Sequence, residues 1–137
     1  MTPLQFADAC LALPPVRWVR WAANWERREA DCWGLVTLYW RLVLGVDLGP
    51  VPRSNLEAGY WAALEHWPEC EPEPGAAVFL AWQGGRPMHC GVLLPGGMLL
   101  HAEGDEKHGG SVRLTRLAAM RRVYSDLRFH RYAGPTC

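Results

Sequence analysis

The sequence predicts a single α+β domain over residues 1–137, in which N-terminal helices pack on one face of an antiparallel sheet. Two observations predict this class. Apolar residues recur at helical spacing as far as about Trp67, whereas from Ala76 onward short apolar runs alternate with turns that contain glycine and proline. Helices followed by consecutive strands are typical of α+β folds. With 137 residues, 50% of them hydrophobic, the chain can bury one core and needs no second domain.

Three helices are predicted before the periodicity changes. The first begins with a capping box at Thr2 and runs to about Leu13. The second covers residues 32–44, where Asp31 is a favoured N-cap, nearly every position is apolar and a glycine follows the last turn. The third covers residues 55–67, where a second Ser/Glu capping box precedes apolar residues at helical spacing. The second helix is the most apolar of the three, so we expect it to be buried on nearly every side.

Tryptophans at positions 18, 21 and 25 lie between the first two helices, among arginines and glutamates. Their i, i+3, i+7 spacing indicates the apolar face of a helix or turn that docks on the core. The alternative is an aromatic wall beside the N-terminus of the second helix, where a substrate could contact it.

The second half of the chain is predicted to form an antiparallel meander. Residues 95–97 (Pro-Gly-Gly) form a hairpin turn between strands at 88–94 and 98–103. The other predicted elements are strands at 77–82, 111–114 and 123–132 and a helical turn at 118–122.

Cys32 is a candidate nucleophile because of its place in the first turn of the second helix. Free backbone N–H groups and the positive end of the helix dipole favour a thiolate there. The alternative is a small apolar residue that fills the helix end, since free cysteine is among the most buried residue types. The choice depends on whether a base lies nearby.

The predicted hairpin supplies two histidines. If Leu94 pairs with Met98 across a three-residue turn, His89 lies opposite Glu103 and His101 lies two residues away on the same sheet face. The two imidazoles can then hydrogen-bond. Together with a cysteine at a helix start, they fit a nucleophile, a base and an orienting group.

Composition excludes several functions. Lys and Arg number 14 and so do Asp and Glu, so the balanced charge gives no footprint for nucleic acid or a membrane surface. No apolar run reaches the roughly 18 residues of a membrane span, and the N-terminus lacks the pattern of a secretion signal. We therefore expect a protein made in a reducing cytosol, with no nucleic-acid partner and no membrane insertion.

Cysteine and histidine spacing argues against a disulfide framework and against a metal site. The 5 cysteines form no Cys-x-x-Cys pair, and an odd number leaves at least one thiol free. Adjacent His89 and Cys90 would point to opposite faces of a strand, and no other pair has zinc-finger spacing. We expect neither a metal nor a cofactor.

Four segments of the sequence resemble the NlpC family of papain-like cell-wall cysteine endopeptidases. Residues 31–36 (Asp-Cys-Trp-Gly-Leu-Val) resemble the nucleophile motif of that family. Residues 89–92 (His-Cys-Gly-Val) and 100–102 (Leu-His-Ala) resemble its base strand and its third polar residue, and residues 74–79 (Pro-Gly-Ala-Ala-Val-Phe) resemble its Pro-Gly-Asp strand. The chain is most similar to the short versions found with tail genes of tailed phages and gene transfer agents.

The resemblance implies a papain-like fold and a division of roles. Cys32 would be the nucleophile, His89 the general base and His101 the residue that orients the base. The substrate would be a peptidoglycan stem peptide. The residues expected to contact it are Trp21, Trp25, Asp31 and Trp33.

The resemblance also implies a place for the protein. It predicts a location on the virion tail, with tail-tip or baseplate proteins as partners, after synthesis in the host cytoplasm and before action in the periplasm or cell wall. The alternative is a tail-tip component that keeps the fold and has weak catalytic activity or none.

Overall fold

Residues 1–51 and 56–134 are described by the structure, a computed structural model, and they form four α-helices and eight strands. The helices are α1 (Pro3–Leu11), α2 (Cys32–Val43), α3 (Leu56–Ala63, followed by a 3₁₀ turn at Leu64–His66) and α4 (Leu117–Val123). The strands are β1 (Ala23–Asn24), β2 (Glu29–Ala30), β3 (Glu69–Cys70), β4 (Ala77–Gln83), β5 (Arg86–Leu93), β6 (Met98–Asp105), β7 (Gly109–Arg116) and β8 (Asp126–Arg131).

The main sheet has the strand order β3-β8-β4-β5-β6-β7, and its neighbouring strands are antiparallel. The predicted meander is correct for β4 to β7 and wrong for the last strand, because β8 returns to pair with the free edge of β4. All but the last residue of β4 is buried, so this strand needs a hydrogen-bonded neighbour on each edge. A central position for β4 satisfies that need.

Apolar clusters cover both faces of the sheet. Along β4, Val78 and Leu80 belong to the larger cluster, which lies against α1, α2 and α3. Phe79 and Ala81 alternate with them and belong to the smaller cluster, to which α4 contributes Met120. The expected packing of the N-terminal helices on the antiparallel sheet is therefore confirmed, whereas α4 lies on the opposite face.

Capping interactions set the ends of the first two helices. The Thr2 hydroxyl accepts from the Gln5 N–H at 3.1 Å, and the Gln5 side chain accepts from the Thr2 N–H at 2.9 Å, which completes the predicted capping box. The helix α1 ends at Leu11, two residues earlier than predicted. Asp31 caps α2 as predicted, because its Oδ1 accepts from the Gly34 N–H at 2.7 Å. The capping box predicted at Ser54 lies outside the described residues.

The tryptophan segment contains no helix, so the helical version of the prediction is wrong there. Instead, β1 pairs locally with β2, where Ala23 lies opposite Ala30, and the Trp18 N–H donates to the carbonyl of the distant Gly110 at 2.9 Å. The docking expectation holds, since Trp18 and Trp25 pack against the larger cluster. Among the described residues, none of the helices is long and apolar enough to span a membrane.

Candidate active site

The Asp-Cys-x-Gly motif, residues 31–34, lies where the backbone of residues 21–22 passes across the start of α2. Asp31 caps the helix with one carboxylate oxygen, and its Oδ2 accepts from the Trp21 N–H at 2.9 Å. A Cβ on Gly34 would collide with the Ala22 carbonyl, so glycine lets that backbone lie directly against the first turn. Both interactions hold the backbone of residues 21–22 against the first turn of α2, where Cys32 lies.

The two histidines of the hairpin are hydrogen-bonded. Val92 pairs with Leu100 and the Leu94 N–H donates to the Met98 carbonyl at 2.8 Å, which confirms the register predicted from the three-residue turn. His89 Nε2 lies 2.9 Å from His101 Nδ1. The imidazoles are therefore neighbours on one face, as the sequence predicted.

Close packing holds this histidine pair. A Cβ on Gly91 would collide with the Leu100 carbonyl, the Phe79 ring and His101 Cβ, so only glycine allows β6 to approach β5 here. The Phe79 ring packs edge-on to both imidazoles, with ring centroids 5.9 Å from His89 and 6.1 Å from His101. Tyr124 stacks on His89 at an interplanar angle of 17°. The glycine of the His-Cys-Gly motif is thus required by the site's geometry.

A third residue extends the chain of hydrogen bonds. His101 Nε2 lies 2.8 Å from Thr115 Oγ1. Burial, the neighbouring His89 and Arg113 lower the pKa of His101 to about 3, so this imidazole stays neutral. A neutral imidazole has one donor and one acceptor nitrogen.

The tautomer of His101 follows from the role of His89. If His89 Nδ1 exchanges a proton with Cys32, His89 Nε2 carries its own proton and donates it to His101 Nδ1. His101 must then hold its proton on Nε2 and donate it to Thr115 Oγ1. The Thr115 hydroxyl can accept that proton, so its contact supports the tautomer in which His101 Nδ1 accepts from His89.

Electrostatics favour ionised Cys32. Its pKa is well below the usual value for cysteine, first because of a hydrogen bond with Cys90 and then, against the opposing effect of burial, because of a hydrogen bond and the charge of His89. A further hydrogen bond, 2.9 Å long, joins Cys32 Sγ to the Tyr60 hydroxyl. A thiolate is the nucleophilic form of cysteine, so this side chain has the electrostatic character of a nucleophile.

Backbone hydrogen bonds hold the Asp31 carboxylate in place beside Cys32. Burial and the negative charge of Cys32 raise its pKa to about 6, although its hydrogen bonds with the backbone of Gly34 and Trp21 oppose the rise. Because these two N–H groups occupy both carboxylate oxygens, the side chain is fixed in orientation beside the thiol.

A cleft of about 310 Å³ opens beside Cys32 and His89. Its lining includes Trp18, Arg20 and Trp21 of the tryptophan segment and, from later in the chain, Glu103 and Tyr124. The Arg20 guanidinium lies 5.9 Å from the Trp18 ring and 5.7 Å from the Trp21 ring, and it forms a 2.9 Å ion pair with Glu106. The lining of the cleft therefore combines aromatic rings with charges of both signs.

The structure divides the four expected substrate contacts into two pairs. Trp21 and Asp31 line the cleft with Cys32. Trp25 does not line it, because its ring stacks on Phe6 with centroids 5.4 Å apart, against the core. Trp33 points away from it as well and lines a separate cavity together with Tyr60.

Sequence reasoning did not find three polar groups of the site, namely Tyr60, Cys90 and Thr115. Thr115 could have been found from strand register, because Arg113 pairs with His101 and a residue two positions along shares the same face. Tyr60 carries no such signal, since only the packing of α3 brings it to Cys32.

Metal ligands are not grouped in the described part of the chain: residues 1–51 and 56–134 hold no cluster of three His, Cys, Asp or Glu side chains arranged for an ion. The cysteines at positions 10, 32, 70 and 90 are free thiols.

A cysteine that opens a buried helix and faces a histidine pair on a hairpin is the arrangement of papain-like cysteine peptidases. The NlpC/P60 family model matches residues 18–128. The chain therefore belongs to the NlpC/P60 family, whose members are generally cysteine peptidases. The resemblance of the sequence motifs to this family is thereby confirmed, and so is the papain-like α+β fold.

One curated relative bears on the biological setting. Tail tip assembly protein K of Escherichia phage N15 is 32% identical over 84 residues, which cover 52% of this chain and 34% of that protein. The chain thus spans about a third of the length of that relative. No solved structure matches the chain significantly.

Proposed function

We propose that this protein is a cysteine endopeptidase that cleaves the stem peptides of peptidoglycan by thiol catalysis. Cys32 is the nucleophile, His89 the general base and acid, and His101 the residue that orients His89. The observation that carries the proposal is that Cys32, in the first turn of α2, shares one cleft with His89, which is hydrogen-bonded to His101. Membership of the NlpC/P60 family supports a peptide of the cell wall as substrate.

The residues have defined tasks in such a reaction. His89 Nδ1 takes the proton of Cys32, and the thiolate attacks the carbonyl carbon of the peptide bond. The oxyanion can accept from N–H groups in the first turn of α2, which have no intrahelical acceptor. His89 then gives its proton to the departing amine, and water, deprotonated by His89, hydrolyses the thioester.

The cleft suits a short peptide that carries charges of both signs. Arg20 can face a carboxylate of the substrate, whereas Asp31 and Glu103 can face an amine. Trp21 adds an aromatic wall beside the nucleophile. We therefore propose Trp21 and Asp31 as the substrate-side residues of the cleft.

We propose further that the protein acts on the virion tail, where it breaches the wall as DNA enters the cell. The name of the relative from phage N15 supports a tail setting. In this proposal the protein is made in the host cytoplasm, is carried on the particle by tail-tip or baseplate proteins and acts in the periplasm or cell wall.

The test is incubation of the purified protein with peptidoglycan, followed by mass spectrometry of the soluble fragments. We expect new termini within the stem peptides, and none with the Cys32→Ala variant. Intact peptidoglycan after incubation with a folded wild-type protein at high concentration would contradict the proposal.

The second candidate is a tail component that needs the fold and not the reaction. It is favoured by one observation, the word "assembly" in the name of the relative. A phage that carries Cys32→Ala separates the two candidates. If the protein acts as an enzyme, the variant phage should form normal particles that contain the protein and infect poorly. If the protein is a structural component, the variant phage should keep full infectivity. Proteomics of purified particles that detects no copy would contradict both tail settings.

A further inference from the structure

The buried side of Cys32 carries two protic groups that the reaction above does not use. The Tyr60 hydroxyl lies 2.9 Å from Cys32 Sγ, and the Cys90 thiol lies within hydrogen-bonding reach of both. Neither Tyr60 nor Cys90 lines the cleft in which Cys32 meets His89. Cys32 therefore has an open side that faces the cleft and a second side, which we call the closed side, that faces these two residues; they line a separate small cavity with Trp33.

Packing holds the Tyr60 hydroxyl in place. The residue is 3% exposed, and its ring packs edge-on to Trp33 with centroids 6.5 Å apart. A buried hydroxyl requires a hydrogen-bond partner, and the sulfur of Cys32 meets that requirement. The contact is thus part of the folded core and does not depend on bound substrate.

The direction of the hydrogen bonds follows from which groups keep their protons. Burial raises the pKa of Tyr60 well above its usual range, and burial raises the pKa of the Cys90 thiol in the same way. Both groups remain protonated while Cys32 ionises, so both donate to the Cys32 thiolate. The proton that Cys32 loses is then directed to the cleft side, where His89 accepts it.

The hydrogen bonds from Tyr60 and Cys90 promote attack by Cys32 as long as the pKa of Cys32 stays near or above the working pH. A hydrogen bond lowers the intrinsic nucleophilicity of a thiolate, with a Brønsted coefficient of about 0.4–0.5, but it raises the thiolate fraction more steeply. The sulfur also keeps a fixed direction, because its two donors lie behind it.

We propose that Tyr60 is a catalytic residue of this site, whose O–H, assisted by the S–H of Cys90, holds Cys32 as a thiolate and aims its sulfur at the cleft. The assignment rests on the proposed thiol chemistry. Three other titratable groups face Cys32: Asp31 at the cap of α2, His89 on β5 and Tyr124 between α4 and β8. None of them occupies the closed side.

The test is the pH profile of Cys32 alkylation by iodoacetamide in Tyr60→Phe, followed by mass spectrometry of the Cys32 peptide in the presence of a phosphine reductant. Phenylalanine keeps the ring and removes only the hydroxyl. We expect the midpoint of the profile to rise by about one pH unit, which is about tenfold less thiolate at a fixed pH below the midpoint. Cys90→Ala is expected to shift the midpoint in the same direction.

The matched control is Tyr39→Phe. It removes another buried hydroxyl, which donates to the Gly75 carbonyl at 2.6 Å, away from the site. Its profile should match that of the wild type. An unchanged midpoint in folded Tyr60→Phe would overturn the proposal, and if that variant does not fold, an unchanged midpoint in Cys90→Ala would do so.

The readout needs no peptidoglycan, so it separates this proposal from the proposed function. A shifted midpoint in a protein that leaves peptidoglycan intact would keep the role of Tyr60 toward the thiolate and reject the substrate. Hydrolysis with an unshifted midpoint would keep the function and reject the role of Tyr60.

Discussion

Cys10 and Cys32 belong to the same apolar cluster and are both buried, yet their surroundings move their pKa values in opposite directions. Burial raises the pKa of Cys10 to about 12, although the charge of Arg28 opposes the rise. Cys32 is buried as deeply, but its hydrogen bonds with Cys90 and His89 lower its pKa against the same burial. Burial by itself therefore makes a cysteine inert, and protic neighbours make it a nucleophile.

The two cysteines also lie at opposite ends of their helices. Cys10 is in the last turn of α1, whose carbonyl groups form the negative pole of the helix dipole. The charge of the nearby Arg28 guanidinium lowers the pKa of Cys10 but does not offset burial, and its Nη2 donates to the carbonyls of Ala9, Ala12 and Pro14. Cys32 opens α2 at the positive pole. The helix dipole therefore acts in the same direction as the other surroundings of each sulfur: it disfavours a thiolate at Cys10 and favours one at Cys32.

The largest expected effect comes from removing each sulfur in turn. Cys32→Ala should reduce hydrolysis of peptidoglycan by at least about a thousandfold, because no other group can attack the carbonyl. Cys10→Ala should keep the activity and lose about 1 kcal/mol of unfolding free energy for the small cavity. The measurements are rates of fragment release and thermal unfolding. A large loss of activity in Cys10→Ala, without unfolding, would break the comparison.

A second prediction concerns His89, the base that lies beside Cys32 and has no counterpart beside Cys10 in this comparison. His89→Ala should reduce hydrolysis by about 10²–10⁴-fold while the fold is kept, since proton transfer needs the base itself. His101→Ala should lose less, because water can replace an orienting group in part. His108→Ala, which removes an exposed imidazole, is the control. Equal rates for the wild type and His89→Ala would show that the site is not catalytic.

The pH dependence of labelling sharpens the comparison directly. The pKa of Cys32 is lowered, so its thiolate persists as the pH falls, whereas the pKa of Cys10 is raised and its thiolate falls about tenfold per pH unit below about 12. Limited iodoacetamide at a pH of about 6.5 should therefore modify Cys32 at least about tenfold faster than any other cysteine. Mass spectrometry of the peptides provides the measurement. Faster modification of Cys10 or Cys137 would count against the assignment of Cys32.

Local signals were sufficient to predict the parts of the site that short segments of chain determine. The N-cap at Asp31 fixes the start of α2, and the three-residue turn fixes the register that makes His89 and His101 neighbours. Each depends on hydrogen bonds within a few residues or across one turn. Such contacts can be inferred from residue types and spacing, without knowledge of the fold.

Contacts between distant segments could not be predicted in this way. Periodicity places a residue on a face and does not name what packs on that face, so Trp25 and Trp33 were expected around the substrate although they pack elsewhere. The pairing of β8 with β4 could not be predicted for the same reason, because a free strand edge can accept any partner strand. Tyr60 reaches Cys32 only through the packing of α3, which no local pattern specifies.

The smallest expected effect tests how far the polar network of Cys32 extends, since nothing comparable surrounds Cys10. Thr115→Val keeps the shape of the side chain and removes the oxygen that lies 2.8 Å from His101 Nε2. The Nε2–H tautomer of His101, which is the one that accepts from His89, then loses the acceptor for its proton. We expect hydrolysis to fall by about threefold to tenfold, because one neutral hydrogen bond is worth about 0.5–1.5 kcal/mol. Thr115→Ser restores the oxygen and should restore the rate, as measured by fragment release. If Val and Ser at this position gave equal rates, the network would end at His101, and the tautomer of that histidine would be set by His89 alone.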